Sequence, residues 1–383
     1  MVVAGGGPAG AAAAFTAARA GLRTALIDKS VFPREKLCGG GLTDRCRASF
    51  AAVFGQTLPE EIVLSGDHMA FFMAGAPLSR MQGRIGLTMR RAFDAHMVSL
   101  ARDAGATTLL GDAVDDLDEA GRIVTLKSGR RLAYGHLVGA DGVNSAIARR
   151  LYGAAFDPAV IGFGLEVEVP RADFPGCPED VEIDFGRADW GYGWVFPKHK
   201  TFTIGVGGVH RRNPDMKARL AAYLTDKGLD PTRYKVKGQY LPFGRCRERP
   251  GRGRILLCGD AAGFVDPITG EGIGYAIESG AAAGVAIAEA LAARRPDAAY
   301  AAYAKATAPI RAAMRQARGW RLLIFSHPAK GLFAKAFGRA RILRQGYLDI
   351  MAGAKDYDDL WGLMGAEASR ALGRRVRRAF VRR

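Results

Sequence analysis

The chain has few cysteines and no hydrophobic run long enough to cross a membrane. Its five cysteines form no Cys-x-x-Cys pair and are odd in number, which argues against a disulfide framework and a zinc site, so we expect no metal. No stretch reaches the ~18–20 apolar residues that a membrane span needs. The chain opens directly into a strand, so no signal peptide is expected, and reduced cysteines predict a cytoplasmic location. That first strand is short, which is compatible with a start a few residues upstream.

Acidic residues are scarce relative to basic ones. The chain has 55 Lys and Arg against 38 Asp and Glu, a net charge of +17, and residues 311–383 alone hold 17 basic and 5 acidic residues. Such a region attracts anionic lipid headgroups, phosphorylated substrates or acidic proteins, although it can also serve solubility alone. No recognition motif accompanies the charge, so nucleic acid is not an expected partner. We expect residues 374–383 to form a mobile tail.

The first 28 residues carry a nucleotide-binding pattern. The short strand Val2–Ala4 leads into Gly5-x-Gly7-x-x-Gly10, an Ala-rich helix and a second strand that ends at Asp28. The glycines permit a tight turn, close approach of a pyrophosphate and close helix–strand packing. The helix N-terminus favours phosphate, and Asp28 is placed to accept ribose hydroxyls. The pattern therefore predicts a dinucleotide site.

A glycine-rich loop follows at residues 30–42. Gly39 to Gly41 allow the chain to pass close to a flat ligand. Cys38 is either a small buried hydrophobe or a group beside the cofactor, and Arg34 either reaches a phosphate or is a solvated charge. Both pairs of alternatives stay open at this point.

Two later strands end in acidic residues. Residues 137–139 lead to Asp141-Gly142, and residues 254–258 lead to Gly259-Asp260 and the run that ends at Gly274. Such a carboxylate can accept hydroxyls of a polyol, and the glycine-rich helix start aims N–H groups at an anion. Gly280 and Gly284, four residues apart, predict that this helix lies close on the sheet.

Between these segments the pattern changes. A helix is predicted from Arg91 to Ala104, and short antiparallel strands over residues 107–137. From residue 160 to 207 apolar and polar residues alternate, which predicts half-buried antiparallel strands with one apolar face. This sheet contains Trp190-Gly-Tyr192-Gly-Trp194-Val-Phe196-Pro197 and, after seven residues, Gly205-Val-Gly207. The rings either fill a core or, beside glycines that open space, line an apolar ligand pocket.

Residues 297–383 read as helical and basic. Their apolar stripe either packs against the body of the protein or rests on a membrane surface. The stripe consists of Phe333, Phe337, Ala340, Leu343, Tyr347 and Ile350.

The chain resembles the p-hydroxybenzoate hydroxylase-like FAD flavoproteins over residues 2–290, and more narrowly the geranylgeranyl reductase family. Three segments carry the narrower match: residues 33–42, residues 259–273, and Tyr192-x-Trp194-x-Phe196-Pro197 with Gly205-x-Gly207. The resemblance implies an α/β fold with a Rossmann-type FAD-binding domain (residues 1–60, 91–157 and 250–296). An intertwined antiparallel substrate domain (61–90 and 158–249) and a C-terminal helical basic region (297–383) complete it.

The resemblance also implies roles for individual residues. Cys38, Tyr192 and Trp194 are the candidates for catalysis, and no residue identifies itself as the proton donor, since ordered water is also a candidate. The substrate pocket would be formed by Tyr192, Trp194, Phe196 and Pro197. The implied FAD contacts are Gly5, Gly7, Gly10, Asp28, Arg34, Cys38, Gly39, Gly41, Arg91, Ala113, Val114, Asp141, Asp260, Pro267, Gly272 and Ile273.

The implied activity is saturation of isolated C=C bonds of a prenyl, geranylgeranyl-type lipid or isoprenoid by hydride from reduced FAD. No second dinucleotide fingerprint is present, so NAD(P)H or a reduced ferredoxin-like carrier would dock transiently. Residues 33–42 depart from the chlorophyll-type members, which puts a chlorophyll substrate in doubt. A flavin monooxygenase or halogenase acting on a hydrophobic substrate is the alternative, since the aromatic motif is similar to Trp-x-Trp-x-Ile-Pro. A non-catalytic lipid-binding flavoprotein is a third reading. Peripheral membrane contact through the basic region is also left open.

Overall fold

The structure is a computed structural model that describes residues 1–360 and residue 362. The predicted tail at residues 374–383 lies outside the described residues. The strands are β1 (Val2–Ala4), β2 (Ala25–Asp28), β3 (Gly41–Leu42), β4 (Leu64–Met73), β5 (Ala76–Leu87), β6 (Thr107–Leu110), β7 (Val114–Asp118), β8 (Ile123–Leu126), β9 (Arg131–Ala133), β10 (Leu137–Gly139), β11 (Gly162–Pro170), β12 (Val181–Phe185), β13 (Tyr192–Pro197), β14 (Thr201–Val209), β15 (Lys237–Leu241), β16 (Gly251–Arg252) and β17 (Ile255–Leu257). The helices are α1 (Pro8–Arg19), α2 (Asp44–Phe54), α3 (Arg90–Asp103), α4 (Ala146–Tyr152), α5 (Met216–Asp226), α6 (Ile273–Ala292), α7 (Ala299–Ala306), α8 (Ala308–Phe325), α9 (His327–Arg339) and α10 (Arg341–Ala352).

A six-stranded sheet holds the nucleotide-binding pattern. Its order is β16-β17-β10-β1-β2-β6, and the five strands from β17 to β6 run parallel. The carboxyl ends of β1, β2, β10 and β17 therefore meet at one edge, where ligands bind in open α/β sheets. Asp28, Asp141 and Asp260 all come at or just after these strand ends, which is why all three line one cavity.

Helix α6 packs closely on α1. A Cβ atom added to Gly280 would stand 2.0 Å from the carbonyl oxygen of Ala9, and one on Gly284 would stand 2.8 Å from Cβ of Thr16. These glycines were expected to bring the helix close to the sheet. Their close contacts are instead with the neighbouring helix, so the prediction of tight packing is right and the partner is different.

The second sheet has eight strands in the order β15-β11-β14-β13-β12-β4-β5-β3. Its pairs are antiparallel except β12 with β4, which is parallel. The predicted fold class is confirmed by these two sheets with the helices that follow. The domain boundaries stay a prediction, and β3, within residues 1–60, pairs with β5 in the second sheet.

Both faces of the second sheet are covered near its centre. On one face Leu165 and Val167 of β11 pack with Leu220 and Leu224 of α5. The strands were predicted to be half-buried with one apolar face, but the loop at Cys38 lies over the opposite face as well. Period two identified the strands correctly, and the chain covers both of their faces.

The C-terminal helices pack on the sheet. Phe337, Tyr347 and Ile350 are buried with Phe71 of β4, and the Phe71 ring centroid is 5.2 Å from that of Phe337 and 5.6 Å from that of Tyr347. The apolar stripe therefore packs against the body of the protein. Within the described part of the chain, no helix has both the length and the apolar character that a membrane crossing requires.

Candidate active site

A cavity of about 660 Å³ connects the parallel-strand edge of the first sheet with the aromatic strand of the second. That volume is within the ~300–1,000 Å³ of small-molecule and cofactor sites. Its nucleotide-binding end begins at the turn between β1 and α1, and its other end is formed by β13 and the C-terminal helices. One space thus reaches from the predicted dinucleotide site to the predicted apolar pocket.

The turn between β1 and α1 leaves no room for side chains. Gly5 has a φ of +103°, and a Cβ there would stand 2.3 Å from the carbonyl oxygen of Ala140. A Cβ on Gly10 would stand 1.8 Å from the carbonyl oxygen of Gly5. Gly5 and Gly7 line the cavity, whereas Gly10 serves the close packing of helix and strand. The geometry shows the tight turn at Gly5 and the close packing at Gly10, and close approach of a pyrophosphate at Gly7 stays a prediction.

Asp28 is buried at the end of β2 and lines the cavity. One oxygen accepts the Gly6 amide at 2.7 Å and the other accepts the Ser30 amide at 2.9 Å. These bonds fix the carboxylate beside the turn, in the position predicted for recognition of ribose hydroxyls.

Two arginines face the N-terminus of α1. Arg90 forms a bidentate pair with the buried Asp94, at 2.7 and 2.9 Å, and Arg34 lies 3.1 Å from the same carboxylate. A Cβ atom on Gly7 would be 3.9 Å from a guanidinium nitrogen of Arg34 and 4.0 Å from one of Arg90. Arg34 also lies 3.8 Å from Asp28, so each guanidinium is paired with a carboxylate. Guanidinium donors beside the positive end of a helix dipole suit a pyrophosphate.

The predicted contact at Arg91 is not supported by its position. Arg91 has a side chain 58% exposed, lies 3.6 Å from Glu35, and is not among the cavity-lining residues. Arg90, one residue earlier, lines the cavity. Pro197, predicted to line the substrate pocket, also lies outside the lining and pairs with Phe202 of β14.

The remaining predicted FAD contacts lie around the cavity. Asp141 lines the cavity, but its carboxylate is already hydrogen-bonded within the protein. It accepts the hydroxyl of Ser145 and the Ala146 amide at the start of α4. Burial raises the pKa of Asp260, while Lys36 and Arg90 nearby oppose that shift. The other lining residues from the prediction are Arg34, Cys38, Gly39, Gly41, Ala113, Val114, Asp260, Pro267, Gly272 and Ile273.

The glycine loop is fixed from two sides. Gly40 has a φ of +69°, and its carbonyl accepts the Thr88 amide at 2.8 Å. The buried ammonium of Lys198 donates to the carbonyl of Gly39. Burial lowers the pKa of Lys198 to about 8. Lys198 was not singled out from the sequence, although it directly follows the Tyr192–Pro197 motif.

The aromatic strand forms the wall of the other end. A Cβ on Gly205 would stand 2.3 Å from Cζ2 of Trp194, and one on Gly207 would stand 3.3 Å from its Cζ3. The indole of Trp194 thus lies over glycines of β14, which explains the spacing of the motif. Phe196 is packed against Gly39, where an added Cβ would be 2.9 Å from its ring. Trp194 and Phe196 line the cavity, so the pocket reading is supported over simple core filling.

Tyr192 lines the cavity with its hydroxyl already engaged. That hydroxyl donates to the carbonyl of Thr269 at 2.7 Å, in the loop before α6. Burial raises the pKa of the phenol. Tyr192 is therefore held as a wall residue, and its proton is directed to a backbone acceptor.

Two carboxylates that the sequence reading did not single out hold the loop at residues 259–273. Glu271 accepts the Gly274 amide at 2.7 Å and the Thr43 hydroxyl at 2.7 Å. Asp266 accepts the Ile268 amide at 2.8 Å and the Tyr357 hydroxyl at 2.8 Å. Phe325, Tyr347 and Met351 of the C-terminal helices also line the cavity. The C-terminal region is thus part of the site and of its support.

The residues present fit FAD. The nucleotide-binding end offers a glycine turn, a helix N-terminus, two guanidinium groups and the Asp28 carboxylate. The other end has two buried polar atoms that lack a hydrogen-bond partner within the described chain, Nε1 of Trp194 and Oε2 of Glu166, and both residues line the cavity.

Comparisons with known proteins identify the family. Residues 1–134 match the family model described as FAD dependent oxidoreductase, and residues 210–318 match the one described as FAD binding domain. Digeranylgeranylglycerophospholipid reductase 2 of Methanothermobacter thermautotrophicus is 30% identical over 78% of this chain and 80% of its own length. The chain belongs to the geranylgeranyl reductase family of FAD-dependent oxidoreductases. Menaquinone reductase of Mycolicibacterium smegmatis is 33% identical over 73% of this chain and 74% of its own.

Solved structures agree with the fold of this family member. A geranylgeranyl bacteriochlorophyll reductase-like protein from Thermoplasma acidophilum superposes with a TM-score of 0.80 at 20% identity, covering 94% of this chain and 98% of its own. A flavin-dependent brominase superposes with a TM-score of 0.72 at 18% identity, covering 96% and 98%. At these identities the likeness concerns the fold alone.

Proposed function

We propose that this FAD-dependent oxidoreductase saturates isolated C=C bonds in the prenyl chain of an isoprenoid lipid or a prenylated quinone. Relatives named digeranylgeranylglycerophospholipid reductase and menaquinone reductase support this substrate class. The carrying observation is the wall at Trp194, whose indole rests on glycines and leaves an apolar slot continuous with the nucleotide-binding end.

The lining of the slot matches a prenyl chain. Beyond the aromatic strand its apolar members include Met69, Ile85, Ile183, Ile268, Phe325, Tyr347 and Met351. Apolar surface of this kind favours a hydrocarbon chain by roughly 25 cal/mol for each Å² removed from water. A flexible apolar chain is therefore the substrate we favour.

The bound cofactor, once reduced, supplies a hydride at the ring. An isolated alkene is not polarised, so the protein must hold it in place beside the cofactor and keep water out. Tyr192 and Trp194 provide the rigid wall for this, and the loop at Gly39–Gly41 is fixed by Lys198. NAD(P)H or a reduced ferredoxin-like carrier, drawn by the positive surface, is the proposed electron donor.

We also propose peripheral membrane contact at the junction of α8 and α9. Leu322 and Leu323 in the last turns of α8 and Leu332 in α9 are exposed. Exposed leucines beside basic residues suit an anionic membrane surface. Co-flotation with anionic vesicles should be weakened by Leu332→Ser and kept by Leu291→Ser, an exposed position on α6. Equal flotation of both variants would contradict this contact.

The activity is tested by half-reactions without oxygen. The bound FAD is reduced chemically, a geranylgeranyl lipid without a quinone ring is added, and flavin absorbance and product mass are followed. Return of the oxidised spectrum together with two added hydrogens per double bond supports the proposal. Reoxidation only after air is admitted, with a hydroxylated or halogenated product, would favour a monooxygenase or halogenase.

A further inference from the structure

Glu166 is a buried carboxyl group that faces the cavity. Its side chain is on β11 and the residue is 5% exposed. Oε1 accepts the Cys38 amide at 3.0 Å. Oε2 is buried and has no hydrogen-bond partner within residues 1–360. A buried carboxyl oxygen without a hydrogen-bond partner destabilises the folded protein, so its presence in the wall of a ligand cavity calls for an explanation.

Glu166 lies beside the wall formed by Trp194. Glu166 of β11 and Trp194 of β13 both pair with Gly205 of β14, the strand that lies between them. Directly paired residues present their side chains on the same face of a sheet. The indole reaches β11 as well, because a Cβ on Gly164 would be 3.5 Å from its Cη2. The acid and the apolar wall thus belong to one face of the cavity.

The surroundings of Glu166 favour its neutral form. Burial is the largest cause and raises its pKa to about 7, and the negative charge of Glu168 on the same strand acts in the same direction. The Cys38 amide, Lys198 after β13 and Lys237 on β15 oppose the shift. Arg90 faces the Cys38 thiol from α3. At neutral pH about half of the molecules can therefore carry a proton on this group.

We propose that Glu166 is a catalytic residue that donates the proton to the alkene from its cavity-facing oxygen. This inference rests on the proposed prenyl reduction. The O–H bond of Glu166 breaks, and the π electrons of the alkene form a C–H bond to that proton at one carbon. The other carbon receives the hydride that the reduced cofactor supplies, so two electrons and one proton are accounted for. The carboxylate regains its proton from solvent between turnovers.

The other candidate donors are less suited by geometry. The Tyr192 hydroxyl donates to Thr269, and the phenol is a weak acid in this buried position. The Cys38 sulfur accepts the Gly40 amide at 3.4 Å and faces the Arg90 guanidinium, so it is already engaged on two sides. Glu166 alone among these three combines a free oxygen with a position on the cavity wall.

The test compares Glu166→Gln with the matched control Glu168→Gln. Glu168 accepts the hydroxyls of Thr201 and Thr203 and does not line the cavity. In single-turnover alkene reduction with pre-reduced FAD, Glu166→Gln should lose roughly 10²–10⁴-fold in rate, the usual contribution of a general acid. Glu168→Gln should keep the wild-type rate at low pH. The decline of its rate at alkaline pH should begin at a lower pH, because removal of the negative charge of Glu168 lowers the pKa of Glu166.

A second readout does not depend on turnover. In infrared pH titrations of the protein with oxidised FAD, a carboxylic-acid carbonyl band should disappear with a midpoint near pH 7, and Glu166→Gln should lack it. The inference is overturned if Glu166→Gln binds FAD and reduces the alkene within about threefold of wild type with the same pH profile, or if no such band titrates near pH 7. Failure of the wild-type protein to reduce any prenyl chain would instead overturn the proposed function, whatever the infrared result.

Discussion

The indole of Trp194 occupies the space above Gly205, where a Cβ atom would stand 2.3 Å from indole carbon Cζ2. Gly205 also joins Trp194 to Glu166 through the ladders of β13, β14 and β11. A single missing side chain thus sets the depth of the slot and the position of its wall. Trp194, which we propose to contact the prenyl chain, and Glu166, which we propose to protonate it, both pair with this one glycine.

Gly205→Ala should therefore impair prenyl reduction without releasing FAD. The added methyl group forces the indole to move, and overpacking of this kind costs about 1–3 kcal/mol. We expect kcat/KM for a prenyl substrate to fall roughly 10–100-fold while flavin content per chain stays unchanged. Gly135→Ala is the control, because nothing lies within 4 Å of a Cβ at that position. Equal activity of both variants would contradict the role assigned to Trp194.

Arg90 and Arg91 offer a matched pair for the nucleotide-binding end. Arg90→Gln removes a charged donor beside Gly7, and hydrogen bonds to charged groups are worth about 1.5–3 kcal/mol, so FAD affinity should fall roughly 10–100-fold. Arg91→Gln changes an exposed side chain and should alter affinity by less than ~0.5 kcal/mol. Fluorescence titration of the apoprotein with FAD measures both. A larger loss in Arg91→Gln than in Arg90→Gln would show that the arginines are wrongly assigned.

Glu166→Gln should stabilise the apoprotein at alkaline pH only. Burial raises the pKa of Glu166 from its usual 4.5 to about 7, so the folded chain holds a proton that the unfolded chain releases between those values. Stability therefore falls as pH rises through this window, by at most about 3 kcal/mol. Thermal unfolding at pH 5 should not distinguish the variant from wild type, whereas at pH 8.5 the variant should unfold a few degrees higher. A lower Tm for the variant at pH 8.5 would contradict the buried, neutral carboxyl group.

Tyr192→Phe tests whether the phenol supplies the proton. The change removes one hydrogen bond to Thr269, worth about 0.5–1.5 kcal/mol, and keeps the ring. We expect kcat to fall less than tenfold, and the decline of kcat at alkaline pH to occur at the same pH as in wild type. Tyr152→Phe is the control, because the Tyr152 hydroxyl donates to the backbone carbonyl of Arg249 at 2.7 Å and the residue does not line the cavity. Loss of the alkaline limb in Tyr192→Phe alone would make the phenol the proton donor.

Local motifs predicted much of the fold and the nucleotide-binding end. The turn at Gly5–Gly10 and the acid at Asp28 depend on a short segment whose strand, turn and helix follow one another, so sequence spacing determines their geometry. The Trp194 motif was also visible, because its glycines follow at a fixed distance. The contacts that bring the nucleotide-binding turn and the Trp194 motif to one cavity are made by residues far apart in the sequence.

The residues that were missed depend on long-range packing. Glu166 alternates with apolar neighbours and was not singled out from the sequence, whereas in the structure the loop at Cys38, 128 residues away in the chain, lies against it. Arg90 and Arg91 are adjacent at the start of α3 and about 100° apart around its axis, so the orientation of the helix decides which one faces the cavity. One local signal favoured Arg90, since Asp94 is four residues further along the helix. Glu271 and Asp266 likewise bind partners from α2 and the C-terminal region.

The most direct test of the account is a single-turnover mixture of chemically reduced holoenzyme and a geranylgeranyl lipid, kept free of oxygen. The account predicts that oxidised flavin absorbance returns at the same rate as a product with two more hydrogens forms. In D₂O that product should carry solvent deuterium at both carbons of each saturated bond, because the hydrogen that reduced flavin delivers as hydride also exchanges with solvent. Flavin that stays reduced with every prenyl lipid and quinone offered, until air is admitted, would contradict it.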